Sequence, residues 1–530
     1  MDVSLEPLPT GSSWWELIRR RAELTPEAVM LEDAERRSIS FAAFLGRAEE
    51  VAAGLVELGV GPDQVVSWQL PTSLEAAVLM AALARLGIRQ NPIIPILRRT
   101  EVGHIVEQLG SDWLFVPGMW RGFDYAAMAA SAVGGGSCRV VACDQLDRAA
   151  GGLALPAADP SALSPPVDPA GAVRWYYYSS GTTAAPKGAK HTDQSAMASS
   201  HGTIDMVRLR ADDVFPVPFP LTHIGGMMML TATLRAGSRL VLLETFDPVQ
   251  SPLLMAERGA TLLGSAVPFF LAYLDAQRRH GDEPLFPRLR QVLAGGAPVP
   301  PELHLDLERE LGHGVVNSWG LTEFPAATCL AVDDPPEKFL GSVGRPVEGV
   351  EVRVSGPTGA RQTSGVEGEL LLRGAQCFAG YVDATLDEGA FAEDGFFRTG
   401  DLGRIDEDGF VWVTGRLKDV IIRNAENISA LEVEGVLIAH PAVADVAVVG
   451  VPDARSGERC CAFVVVAGGR AEGTAADLTL VDLAEHCRAH GLASQKIPEQ
   501  LEIVAELPRN AMGKILKHEL RARLIGTGSR

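Results

Sequence analysis

Between residues 44 and 118 the chain repeats one rhythm, and that rhythm restricts the fold. A helix-like stretch, 44–58, stops at Gly59, the strand-like run 65–70 follows, and a second helix-like stretch, 74–86, stops at Gly87. Strands alternating with helices in this way predict a parallel sheet covered by helices, an α/β architecture. Further strand-like runs at 240–243, 261–264 and 291–294 extend the pattern. From 352 to 413, short alternating runs broken by Gly and Asp turns predict β-hairpins, a smaller barrel-like part. After Arg416 the pattern changes to a compact α+β unit, with strands near 443–449 and 462–466, a helix near 483–490 and a terminal helix from Lys514. A chain of 530 residues exceeds what one hydrophobic core organises. The expected division is a large N-terminal domain, 1–416, and a small, mobile C-terminal domain, 417–530.

Composition narrows the function classes. With 47% hydrophobic and 22% charged residues the chain reads as an ordinary globular protein. A formal net charge of −20 argues against a nucleic-acid surface and favours a cytoplasmic setting, while leaving room for a local basic patch. The first twenty residues lack the apolar core of a signal peptide. The longest apolar stretch, around 76–84, is too short to span a bilayer. The cysteines number seven, scattered and without a Cys-x-x-Cys pair, and Cys460 and Cys461 fall in a strand-like run. Buried thiols fit that pattern better than disulfides or a zinc site.

The densest chemical signal is Tyr178-Ser179-Ser180-Gly181-Thr182-Thr183-Ala184-Ala185-Pro186-Lys187-Gly188. Hydroxyls, glycines and a terminal cation are what a polyphosphate needs: backbone amides form an anion-binding concavity and the lysine neutralises charge. The common nucleotide loop places its lysine after the second glycine and follows it with Ser or Thr. Here Lys187 precedes Gly188, so this is a phosphate loop of another kind; taken alone, it also reads as an ordinary Ser/Thr/Gly surface loop. Four further segments follow in order: Asn317-Ser318-Trp319-Gly320-Leu321-Thr322-Glu323; Arg398-Thr399-Gly400-Asp401-Leu402-Gly403; Gly415-Arg416-Leu417-Lys418-Asp419 with Asn427-Ile428 and Glu432-Val433-Glu434; and Pro508-Arg509-Asn510-Ala511-Met512-Gly513-Lys514. Together the five resemble the signatures of the adenylate-forming superfamily, in its acyl-CoA synthetase branch.

That resemblance implies a two-step ligase. A carboxylate attacks the α-phosphorus of ATP, giving an acyl-adenylate and pyrophosphate; a thiol, commonly that of coenzyme A, then displaces AMP. The phosphate loop, Ser179, Ser180, Gly181, Thr182, Thr183 and Lys187, would hold the β- and γ-phosphates. Ser179 and Glu323 would hold Mg²⁺, with Thr322 beside them. Lys514 would place its ammonium between carboxylate and α-phosphate, a suitable task for a compact point charge. The turn Gly295-Gly296-Ala297-Pro298 would let backbone approach the adenine, flanked by Asn317, Trp319 and Gly320. Trp319 stands where the family has tyrosine, and its indole face would stack on the base, with core packing as the other reading. Asp401 would accept both ribose hydroxyls, Arg416 donating to the same sugar. His223, within Pro220-Leu221-Thr222-His223-Ile224-Gly225-Gly226, matches a position near the acyl group, where a structural and a catalytic histidine are equally compatible with the sequence.

Lys418 takes the hinge position between the domains, and the backbone at Asn424 and Ala425 would line the channel for pantetheine. The sequence departs from the family's pattern at Ala184 and Ala425, both of which replace glycine. The implied substrates are an apolar carboxylic acid (medium or long chain, or alicyclic), ATP and coenzyme A, in fatty-acid-type metabolism. No nucleic acid or membrane span is implied, and a homodimer is compatible with the family. Transfer to a carrier-protein thiol is a second reading, although the chain shows neither a fused carrier domain nor an insertion at the junction. A third is a nucleotide-binding paralogue without catalysis.

Overall fold

The computed structural model describes residues 6–143, 154–167, 171–179, 186–296, 299–423, 426–453, 455–467, 478–510 and 513–527. Ser180, Gly181, Thr182, Thr183, Ala184, Ala297, Pro298, Asn424 and Ala425 lie outside the described residues.

The expected α/β alternation is present. The Phe41–Leu58 helix begins at Ser40, whose side chain accepts from the Ala43 N–H, and ends at Gly59 with φ +100°. Only a residue without Cβ holds that φ cheaply. The strand Val65–Trp68 follows and then the helix Leu74–Arg85, capped by Ser73. These strands join a six-stranded sheet in the order Lys187–Thr192, Val173–Ser179, Arg89–Pro92, Val65–Trp68, Trp113–Val116, Arg139–Ala142. Its core strands run parallel, whereas Lys187–Thr192 returns antiparallel to Val173–Ser179. A second sheet orders Val214–Val217, Arg239–Leu242, Val29–Asp33 and Ser38–Ser40. A third orders Leu262–Ser265, Gln291–Ala294, Val315–Trp319, Thr328–Cys329 and Arg345–Pro346. The long buried Leu74–Arg85 and Ile224–Ala236 helices contribute to one large apolar core.

Glu351–Ser355, Gly368–Arg373, Phe397–Ile405 and Val411–Arg416 form an antiparallel meander where hairpins were expected. Beyond it a separate small core gathers Ile421, Ile428, Val433, Leu437, Val448, Cys460 and Val464. The strands Val443–Asp453 and Gly457–Val466 form its long hairpin, with the helices Ala430–Ile438 and Leu480–Ala489 beside it. All seven cysteines are free thiols. Cys460 and Cys461 are fully buried, and burial pushes both thiols up to about 12.

One element differs from expectation. The terminal helix is Lys517–Thr527 and does not begin at Lys514. Residues Arg509 and Ile515 are bridged antiparallel, Asn510 donates to the Lys514 carbonyl, and Gly513 has φ +77°. The lysine therefore sits on a tight hairpin, because the glycine's left-handed backbone closes a turn that a helix could not contain.

Candidate active site

Segments from both domains carry the predicted site residues. The Val173–Ser179 and Lys187–Thr192 strands pair so that Ser179 lies directly opposite Lys187. Ser179 and Lys187 are thus the paired ends of the two strands. Lys187 Nζ lies 5.8 Å from the centre of the Tyr381 ring.

At the end of the Val315–Trp319 strand the chain turns tightly: Leu321 and Phe324 exchange backbone hydrogen bonds, and Ala327 donates to the Trp319 carbonyl. Gly320 is required here, since a Cβ would lie 2.6 Å from the Ala326 nitrogen. The turn presents Thr322 and Glu323. Glu323 is nearly buried, and the Tyr381 hydroxyl donates to its Oε1 at 2.8 Å. Its backbone carbonyl accepts from Phe378 N–H at 2.9 Å. Desolvation first, then Glu323, pushes the Tyr381 phenol far upward, so it stays a donor. Tyr381 was not among the sequence candidates; the Gly380-Tyr381 pair after an apolar run was the available cue.

Asp401 is almost completely buried; one of its oxygens accepts a hydrogen bond and the other lies in an ion pair. Arg416 Nε lies 2.7 Å from Oδ1, and Trp319 Nε1 donates to Oδ2 at 2.9 Å. The pairing follows from register, because Asp401 and Arg416 face each other across neighbouring strands. Trp319 belongs to the large core, so its ring takes the packing role and its N–H orients the carboxylate. Asn317 is buried, its Oδ1 accepting from Ser318 N–H at 3.1 Å. Gly295 donates to the Ser265 carbonyl, and Gly296 adopts φ +83°.

Lys514 comes from the C-terminal domain and lies within electrostatic reach of Arg416 and Asp401. Gly513 packs on Pro268, at the start of the Val267–His280 helix of the large domain; a Cβ on Gly513 would lie 3.6 Å from Pro268 Cγ. Burial, and then the Arg416 guanidinium, lower the Lys514 ammonium to about 8, with Asp401 opposing them. A half-buried ammonium lowered by an arginine, and opposed only in part by carboxylate, is electrostatically suited to an anion. Lys418, exposed in the short helical turn Leu417–Asp419, also adds positive charge.

His223 sits at the N-terminus of the Ile224–Ala236 helix, and its Nδ1 accepts from Gly225 N–H at 3.1 Å. Accepting there puts the ring proton on Nε2 in the neutral form, and burial pulls its pKa down to about 4. Met227 and Met229 on the same helix are buried in the core.

Residues 18–382 match the AMP-binding enzyme family and residues 432–514 match the AMP-binding enzyme C-terminal domain. The chain belongs to this family of AMP-forming ligases. It is similar to the medium-chain fatty-acid–CoA ligase of Escherichia coli, at 29% identity over 96% of this chain and 89% of the relative. It is also similar to the salicyl-AMP ligase / salicyl-S-ArCP synthetase of Mycobacterium tuberculosis, at 34% identity over 95% and 89%. Among solved structures it resembles MatB from Rhodopseudomonas palustris bound to ATP, with TM-score 0.82, 30% identity, and coverage of 96% of this chain and 98% of that one. Against the apo form of MatB, at the same identity and coverage, the TM-score is 0.72. The present arrangement therefore lies nearer the ATP-bound form. The chain is an adenylate-forming enzyme, and among the described residues no helix is long and apolar enough to cross a membrane.

Proposed function

We propose that the protein activates an apolar carboxylic acid with ATP and transfers the acyl group to coenzyme A. The observation that carries this reading is the Lys514 ammonium brought within electrostatic reach of the Asp401–Arg416 pair, with Gly513 lying against Pro268 of the large domain. Two anions, carboxylate and triphosphate, must meet for adenylation, and preorganised positive charge lowers that barrier.

In the first half-reaction, a substrate carboxylate oxygen bonds to the α-phosphorus and the bond to the β-phosphate bridging oxygen breaks, releasing pyrophosphate. Lys514 steadies charge at the α-phosphate, and Lys187 with the loop beginning at Ser179 steadies the departing pyrophosphate. Ser180, Gly181, Thr182 and Thr183 take part as phosphate donors in this reading. Asp401, turned by Arg416 and Trp319, addresses the ribose hydroxyls. The Gly295-Gly296-Ala297-Pro298 turn and Asn317 border the adenine. Glu323 fits Mg²⁺: Tyr381 engages only Oε1, and among the described residues no partner engages Oε2. The ion would be held by Glu323 with the Ser179 hydroxyl and would supply charge neutralisation to the phosphates. His223 directs an Nε2–H donor toward the acyl side, and Met227 to Met229 border the apolar end.

In the second half-reaction the thiol sulfur bonds to the acyl carbon, AMP leaves, and the thiol proton is released to solvent. The domain boundary is placed at 416/417, with Lys418 as hinge and the backbone at Asn424 and Ala425 bordering the thiol's path. The setting is the cytoplasm.

The deciding experiment is incubation with ATP, Mg²⁺ and a panel of carboxylic acids, with and without coenzyme A, with products identified by mass spectrometry. Acyl-CoA from an apolar acid is expected. Acyl-AMP that forms no CoA thioester would transfer the reading to a carrier-protein thiol, as in the salicyl relative's name. Absence of AMP with every acid would refute the ligase reading.

A further inference from the structure

The Lys187–Thr192 strand has a second attachment to the site besides Lys187. Side chains alternate along a strand, so Lys187, Ala189 and His191 share one face. At one end of that face, Lys187 stands by the Tyr381 ring, and Tyr381 holds Glu323. At the other end, His191 is completely buried. Its Nε2 is 2.8 Å from the Thr322 carbonyl oxygen and its Nδ1 is 3.0 Å from Ser195 Oγ. A carbonyl can only accept, so the proton lies on Nε2. Nδ1 of the neutral ring then accepts from the Ser195 hydroxyl, whose oxygen is itself anchored by the Thr192 N–H at 3.0 Å.

We infer that His191 is a positioning residue: its Nε2–H ties the strand carrying Lys187 to the Thr322–Glu323 turn and so fixes the lysine and the carboxylate relative to each other. The neighbouring carbonyl, that of Glu323, is held from the other side by Phe378 N–H. The segment supplying Phe378 pairs with the same strand, through Ala379 N–H to the Lys190 carbonyl and Lys190 N–H to the Gly380 carbonyl. Two successive carbonyls of the turn are thus referenced to one strand. The ring's surroundings are the Tyr177 ring edge, Ser195 and the Thr322 carbonyl, and burial keeps the imidazole neutral, with a pKa of about 4. This inference rests on the adenylation reading of the site.

The test compares His191→Leu, His191→Gln and His191→Asn in ATP–pyrophosphate exchange. A Gln amide nitrogen reaches about as far as Nε2, whereas that of Asn reaches only as far as Nδ1. Leu and Asn are expected to lower kcat by about tenfold or more and to raise the KM for Mg·ATP, with the acid KM little changed. Gln is expected to restore most of the loss. Equal kcat in all three folded variants, with only Tm lowered, would overturn the inference. A second readout needs no activity: nitrogen NMR of the wild-type ring should show protonated Nε2 and bare Nδ1 from about pH 5.5 to about pH 8. The opposite tautomer, or titration above about pH 6, would also overturn it. If the wild type exchanges with no acid, the functional reading fails, and the ring's tautomer alone decides the His191 tie.

Discussion

At the scale of single residues, Lys514 and Trp319 show how neighbours alter the meaning of a side chain. Lys514 sits on the hairpin turn with its ammonium lowered to about 8 by burial and by Arg416. Because the proposed adenylation has its charged form meet the phosphates, kcat/KM for adenylation is expected to fall as pH rises through about 8. The same profile for Lys514→Arg should stay flat there, since guanidinium does not titrate. Lys514→Ala should lower the rate of acyl-AMP formation by about a hundredfold or more while calorimetry still shows ATP binding. Trp319 acts through its N–H: Trp319→Phe keeps the packing but leaves the buried Asp401 Oδ2 without its donor. That should cost about 1–3 kcal/mol in chemical denaturation and raise the KM for ATP. An unchanged KM would show that Trp319 does not orient Asp401.

At the scale of elements, the helix Ile224–Ala236 carries His223, proposed for the acyl side, on a first turn that lies against the preceding bend. A Cβ at Gly226 would come within 2.4 Å of the Leu221 carbonyl oxygen. Gly226 N–H donates to the His223 carbonyl at 2.8 Å, so displacing this turn displaces the imidazole. Gly226→Ala is expected to cost about 1–3 kcal/mol by overcrowding and to raise the KM for the acid more than that for ATP. Steady-state kinetics with each substrate varied would check it. The Lys187–Thr192 strand shows the same dependence: its antiparallel return sets Lys187 opposite Ser179, which no helix-strand rhythm in the sequence foretells.

At the scale of the whole molecule, the proposed function has two domains serve one site, with the hinge proposed at Lys418 deciding which half-reaction proceeds. Lys418→Pro should stiffen the turn Leu417–Asp419. Adenylation in the present arrangement should persist, while acyl-CoA formation from preformed acyl-AMP slows by about tenfold or more. Equal slowing of both steps would remove Lys418 from the hinge role. Stability should also follow pH. His191 is lowered from 6.5 to about 4, so the unfolded chain binds more protons between those values, and stability is lost as pH falls through that window. The contribution is on the order of 3 kcal/mol, and denaturant titrations of the wild type and His191→Gln at both ends of the window would reveal it.

The sequence by itself determined the α/β rhythm, the change to α+β after Arg416 and the five ordered motifs, because helix stops, strand alternation and loop chemistry are written in neighbouring residues. Only the tertiary structure decided that Trp319 donates to Asp401 instead of standing free, that Tyr381 holds Glu323, and that His191 holds Thr322. It also moved Lys514 from the start of a helix onto a hairpin. These pairs are separated by 82, 58 and 131 residues, so no local pattern encodes them. They arise because a buried polar atom must find a partner, and which partner is in reach depends on how distant strands pack together.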